Sequence, residues 1–147
     1  MTTHAIHTTT RPAPTTTAAK RSPERMLRLV LAANATTSFA AGVAGAVAAR
    51  WTADTLGVGS VGWTRAVSIA LIVFAVDVAL VARARAPQLR RFAAIVSCAD
   101  IAWVLATAAV VAFGSLSGTG VAIAVVMAIG VADFATVQLW ARHRMAR

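Results

Sequence analysis

Tyrosine is missing from this sequence, cysteine occurs once, and acids occur five times in 147 residues. Cys98 stands alone, which excludes an intramolecular disulfide and a cysteine-based metal site. The three histidines, His4, His7 and His143, lie outside the long apolar runs. A haem held by two intramembrane histidines is therefore excluded, as is a buried zinc site of the usual His/Cys type. The chain carries no nucleophile–base pair, metal set or phosphate loop, so no catalytic residue, metal or cofactor is expected. Lysine is nearly absent as well: of 14 basic residues only Lys20 is not Arg.

Charge is the most informative shortage. Charged residues make up 13% of the chain and hydrophobic ones 59%. A soluble domain carries about 25% charged residues. The polar surface needed to keep this chain in water is lacking. In its place stand apolar runs of about 20 residues, the length that spans a hydrocarbon core about 30 Å thick. The fold class expected is all-α, an integral membrane up-down four-helix bundle with a disordered N-terminal tail. Spans are expected at about 26–49, 64–83, 91–113 and 119–141, within one domain covering 25–142.

The tail, residues 1–24, is rich in Thr and Pro and poor in large apolar side chains. It cannot bury enough surface to offset the entropy of ordering. It lacks the apolar core of a cleaved signal peptide. The first connection, WTADTLGVGSVGW, holds three glycines between Trp51 and Trp63, which suit an interfacial aromatic belt. Its TADTL portion suits a short helical turn on the interface. The second connection, ARAPQLR, carries Pro87 as a helix breaker. The third, GSLSGTG, is a tight polar turn. Residues 143–147 form a basic end.

The basic residues sit at the ends of the apolar runs. Lys20, Arg21, Arg25 and Arg28 precede the first. Arg83, Arg85, Arg90 and Arg91 lie between the second and third. Arg142, Arg144 and Arg147 follow the fourth. The opposite side has only Arg50 and Arg65, with Asp54 nearby. By the positive-inside rule both termini are cytoplasmic, in a multi-pass protein of a plasma or inner membrane. The cations follow span ends rather than one helical face, so nucleic acid is not the expected partner. The partners considered are the lipid bilayer, anionic headgroups at the Arg clusters, and a second copy of the chain or another membrane protein. The Ala, Val and Arg bias suits a GC-rich bacterial genome.

Three of the five acids lie inside expected spans: Asp77, Asp100 and Asp133. Asp77 and Asp133 fall about three residues, and Asp100 about two, to the cytoplasmic side of their span centres. Asn34 falls about five residues to that side of its own. At about 1.5 Å per residue, the four occupy one thin slab. An Asp at a span centre costs about 2.5–3.5 kcal/mol on insertion scales. All four are therefore expected to point into the bundle and to hydrogen-bond there. Ser38 shares a face with Asn34, and Ser97 and Trp103 share one with Asp100. Thr136 shares one with Asp133. Trp103 has an N–H that a carboxylate one turn away could accept. Ser38, Gly42 and Ala46 form a small-residue seam suited to close packing. Aligning Asn34 with Asp100, and Asp77 with Asp133, superposes two helical hairpins as a parallel repeat.

The stretches RLVLAANATTSFAAG, CADIAWVLATA and VADFATVQLWAR carry Asn34 with Ser38–Phe39, Asp100 with Trp103–Val104, and Phe134–Ala135 with Gln138. Together they resemble small four-helix integral membrane proteins of bacteria over residues 25–142. That resemblance implies the fold and brings no catalytic residues. Function is left between two expectations. One is a non-enzymatic structural or partner-binding bundle whose polar layer fixes helix register. The other is a small proton- or cation-coupled transporter, or a subunit of one, using Asp77, Asp100 and Asp133.

Overall fold

The computed structural model describes residues 22–145. The expected tail falls outside these residues except for its last three. Five helices follow one another: α1 (Pro23–Val47), α2 (Ala49–Leu56), α3 (Val61–Arg83), α4 (Ala86–Phe113) and α5 (Gly118–Arg144). No strand occurs among the described residues. The helices α1, α3, α4 and α5 are long and apolar enough to cross a membrane.

Serines set three of the helix starts. Ser22, Ser60 and Ser117 precede α1, α3 and α5, and each accepts a bond from a backbone N–H of the first turn. Each thereby satisfies a donor that has no partner within its helix. These caps place α1 and α3 three residues earlier than expected.

Two boundaries correct the sequence expectation. The first span was expected to run to residue 49, but α1 ends at Val47 and the chain turns at Ala48. Ala49 instead opens α2, a short helix that also carries the polar Arg50, Thr52 and Asp54. Trp51 is exposed on it, while Ala49 and Ala53 are buried beneath. The third span was expected from 91, after Pro87, but α4 starts at Ala86 with Pro87 in its first turn. A proline costs nothing there, because the N–H it lacks would have no helical partner. Only Ala84 and Arg85 then connect α3 to α4.

The helices pack as two pairs, α1 on α3 and α4 on α5, joined through α1 and α5. The α1–α3 seam is close. A methyl group at Gly42 would come 2.8 Å from both the Ser68 carbonyl oxygen and the Ile72 side chain. Gly45 leaves room for the Ser68 hydroxyl in the same way. Small residues let the two backbones approach. Arg28 closes the near end of this pair, donating to the Ala82 carbonyl in the last turn of α3 at 2.7 Å.

The core lies toward the arginine-bearing end, among Leu27, Leu31, Val78, Leu89, Ala93 and Ala141. At the other end, α2 is stitched to the start of α5. Ser117 donates its N–H to Leu56 O at 3.0 Å and its hydroxyl to Thr55 O at 2.6 Å. Gly57 makes that approach from a left-handed conformation, φ +76°. By contrast α3 and α4, although joined by two residues, touch little. The far end of α4 is bare, with Leu105, Val110 and Phe113 exposed.

Candidate functional site

Asp100 sits near the middle of α4 and is 2% exposed. Asn34 of α1 donates its side-chain amide to both carboxylate oxygens, at 3.2 Å to Oδ1 and 2.9 Å to Oδ2. Gln138 of α5 donates its amide to Oδ2 at 3.1 Å. The two amide oxygens are held in turn. Ser38 donates to Asn34 Oδ1 at 3.2 Å, and Ser97 donates to Gln138 Oε1 at 3.0 Å. Ser38 lies one turn from Asn34, at the helical spacing that brings side chains together, whereas Ser97 reaches across from α4 to α5. Among the described residues, no buried side-chain nitrogen or oxygen lacks a partner. The cluster thus ties three helices together by neutral donors around one acid.

A cavity of about 440 Å³ opens beside this cluster. All four long helices line it, and its walls are almost wholly apolar. Asp100 contributes to the wall, with Thr37 and Ser38 from α1 and Trp103 one turn further along α4. Phe74 of α3 and Phe134 of α5 add aromatic surface. The cavity lies beyond the tight core, where α3 and α4 have parted.

The structure brings Asn34, Asp100, Ser38 and Ser97 together. It places Asp77 and Asp133 elsewhere: both are exposed. Asp77 lines the outer groove between α3 and α4, beside Phe92 and Ile95. Asp133 is on the outer face of α5, between Ile129 and Trp140, which are exposed too. On α3 the buried positions are Ala75, Val78 and Ala82, and on α5 they are Ala135, Gln138 and Ala141. Residues 77 and 133 lie off those stripes. Thr136 is exposed and, among the described residues, bonds to Ala132 O of its own helix, at 2.8 Å. Trp103 lines the cavity without donating to Asp100.

Gln138 was not among the expected site residues. Its signal lay in the small residues spaced around it, Ala135 and Ala141, which mark the buried stripe of α5. Matching residues by distance from span centres pointed to Asp133 instead. No family model, curated protein or solved structure matches the chain.

Proposed function

We propose that this chain is a non-enzymatic multi-pass membrane protein, an up-down four-helix bundle that serves assembly or partner binding. The observation that carries this reading is the buried junction at Asp100, which collects donors from α1 and α5. A polar group inside a membrane bundle is kept where it fixes helix arrangement or does work. Here both donors are neutral amides on different helices, which suits fixing. The arginines at the α1 start, the α3–α4 connection and the α5 end face the cytoplasm of a plasma membrane, with anionic headgroups around them. Asp77 and Asp133, exposed at span depth, support a second copy or another membrane protein as cover.

One observation favours a second reading, a small cation-coupled carrier: Asp100 reaches the wall of a cavity. Flux and stability measured on the same proteoliposomes separate the two. Under the structural reading, Asn34→Leu lowers the unfolding temperature, and native protein moves neither protons nor sodium. Native flux abolished by Asp100→Asn, with the unfolding temperature unchanged, would overturn it in favour of the carrier.

A further inference from the structure

We propose that the cavity beside Asp100 is a binding site for a primary organic ammonium carrying an apolar, aromatic body. This goes beyond a structural bundle and requires no transport.

Apart from the indole N–H of Trp103, the polar side chains in the cavity wall present acceptors. Thr37 commits its hydroxyl proton to the carbonyls of Ala33 and Asn34, each at 3.0 Å. Ser38 commits its own to Asn34 Oδ1. What these hydroxyls have left is lone pairs. Asp100 has about four lone-pair positions. Asn34 and Gln138 occupy three, two on Oδ2 and one on Oδ1. An acceptor position on Oδ1 remains. An ammonium of the R–NH3+ type has three donors and no acceptor, which matches Asp100, Thr37 and Ser38.

Charge points the same way. Among the described residues no Arg, Lys or His lines the cavity, and the partners of Asp100 are neutral. They donate hydrogen bonds to it without balancing an ionised carboxylate. An anion in this cavity would meet an acid, with the indole N–H of Trp103 as a lone neutral donor among the described residues. A cation would meet the acid among the aromatic side chains of Phe74, Trp103 and Phe134, whose ring faces attract positive charge where they are presented to it. The apolar remainder of the wall fits the body of such a molecule, and the volume falls within the range of small-molecule sites, about 300–1,000 Å³.

Gly130 supplies a clean test. It lines the cavity, and a Cβ added there meets nothing within 4 Å. A Gly130→Leu variant therefore adds bulk to the cavity wall from a position where the Cβ itself meets no neighbour. Thr37→Val keeps shape and removes one acceptor. The probes share one body: 4-phenylbutylammonium, its N,N,N-trimethyl derivative, 4-phenylbutanol and 4-phenylbutyrate. Each is titrated calorimetrically into nanodiscs holding the full chain, with empty nanodiscs subtracted. Saturable binding of the primary ammonium is expected. Binding at least tenfold weaker is expected for the trimethyl and alcohol probes, and none for the carboxylate. Gly130→Leu should abolish binding, and Thr37→Val should weaken it several-fold. Absence of saturable binding would overturn the site. So would equal binding of the alcohol or carboxylate, or binding unchanged by Gly130→Leu. Equal binding of the trimethyl probe would overturn the match of donors. Unfolding temperatures, measured alongside, report the bundle separately. A Gly130→Leu chain that keeps its unfolding temperature and loses binding locates the ligand in the cavity, whatever Asp100 does for stability.

Discussion

Asn34 and Asp100 are 66 positions apart, yet one amide nitrogen donates to both oxygens of one carboxylate. Their helices, α1 and α4, otherwise barely touch. The bond crosses the bundle from one helix pair to the other. Gln138 approaches the same carboxylate from α5. Asp100 is therefore a junction rather than one member of an evenly shared layer.

The two donors should not be equal. Interhelical hydrogen bonds in membranes are worth about 0.6 kcal/mol on average. Leaving a buried polar group unpaired costs about 1–3 kcal/mol, and more if it is charged. Asn34→Leu strips both oxygens of a donor and orphans Ser38, so a loss of about 2–3 kcal/mol is expected. Gln138→Leu removes one bond of three and should cost less, about 1 kcal/mol. Reversible unfolding of each variant in bilayers or mixed micelles gives the order. A larger loss for Gln138→Leu would mean that α5, not α1, anchors the acid.

The spans were legible because length and hydropathy act locally, while the serine caps that set three helix starts were not read from the sequence. Faces were harder. In lipid the outside of a helix is as apolar as the inside, so periodicity carries little contrast. That is why residues 77 and 133 were expected inward. Depth matching worked for Asn34 and Asp100 because both lie next to the midpoints of their helices. It missed Gln138, because helix stagger is a tertiary property. The aligned pairs do behave alike. Asn34 and Asp100 meet inside, while Asp77 and Asp133 are both outside. The equivalent grooves differ, since α1 packs on α5 more closely than α3 packs on α4. The cavity follows from that inequality.

Two glycines should respond in opposite ways to the same change. Gly42→Ala drives a methyl group against Ser68 O and Ile72, so α1 and α3 must separate. Overpacking of this kind costs about 1–3 kcal/mol. Gly130→Ala meets open space and should stabilise α5 by about 0.5–1 kcal/mol through helix propensity. Unfolding temperatures of the two single variants provide the comparison. A Gly42→Ala protein as stable as the native chain would show that the seam can relax.

Arg28 should matter more than its ion pair suggests. Its bond to Glu24 joins two part-exposed side chains one turn apart, a geometry worth about 0.3–0.5 kcal/mol. Its bond to Ala82 O satisfies a carbonyl that the end of α3 leaves unpaired. Glu24→Gln is therefore expected to be nearly silent and Arg28→Gln to cost about 1 kcal/mol. Hydrogen exchange in the last turn of α3 would locate the loss. Equal effects of the two substitutions would assign the whole contribution to the ion pair.

Asp77 and Asp133 carry the opposite expectation. Each lies exposed in a helix that is long enough to span. An acid facing hydrocarbon near midplane costs about 2.5–3.5 kcal/mol on insertion scales. A Leu in its place should make an isolated chain more stable. The same replacement should weaken any assembly that covers the acid, because a partner group loses its hydrogen bond. The single cysteine, Cys98, is exposed and provides one labelling position. Donor- and acceptor-labelled native chains in liposomes are expected to show energy transfer that rises with protein density. In the Asp77→Leu/Asp133→Leu double variant that transfer should fall, while the unfolding temperature at one chain per nanodisc rises. Transfer as strong in the double variant as in the native chain would remove these acids from the contact between copies. The bundle would then have to tolerate them against lipid.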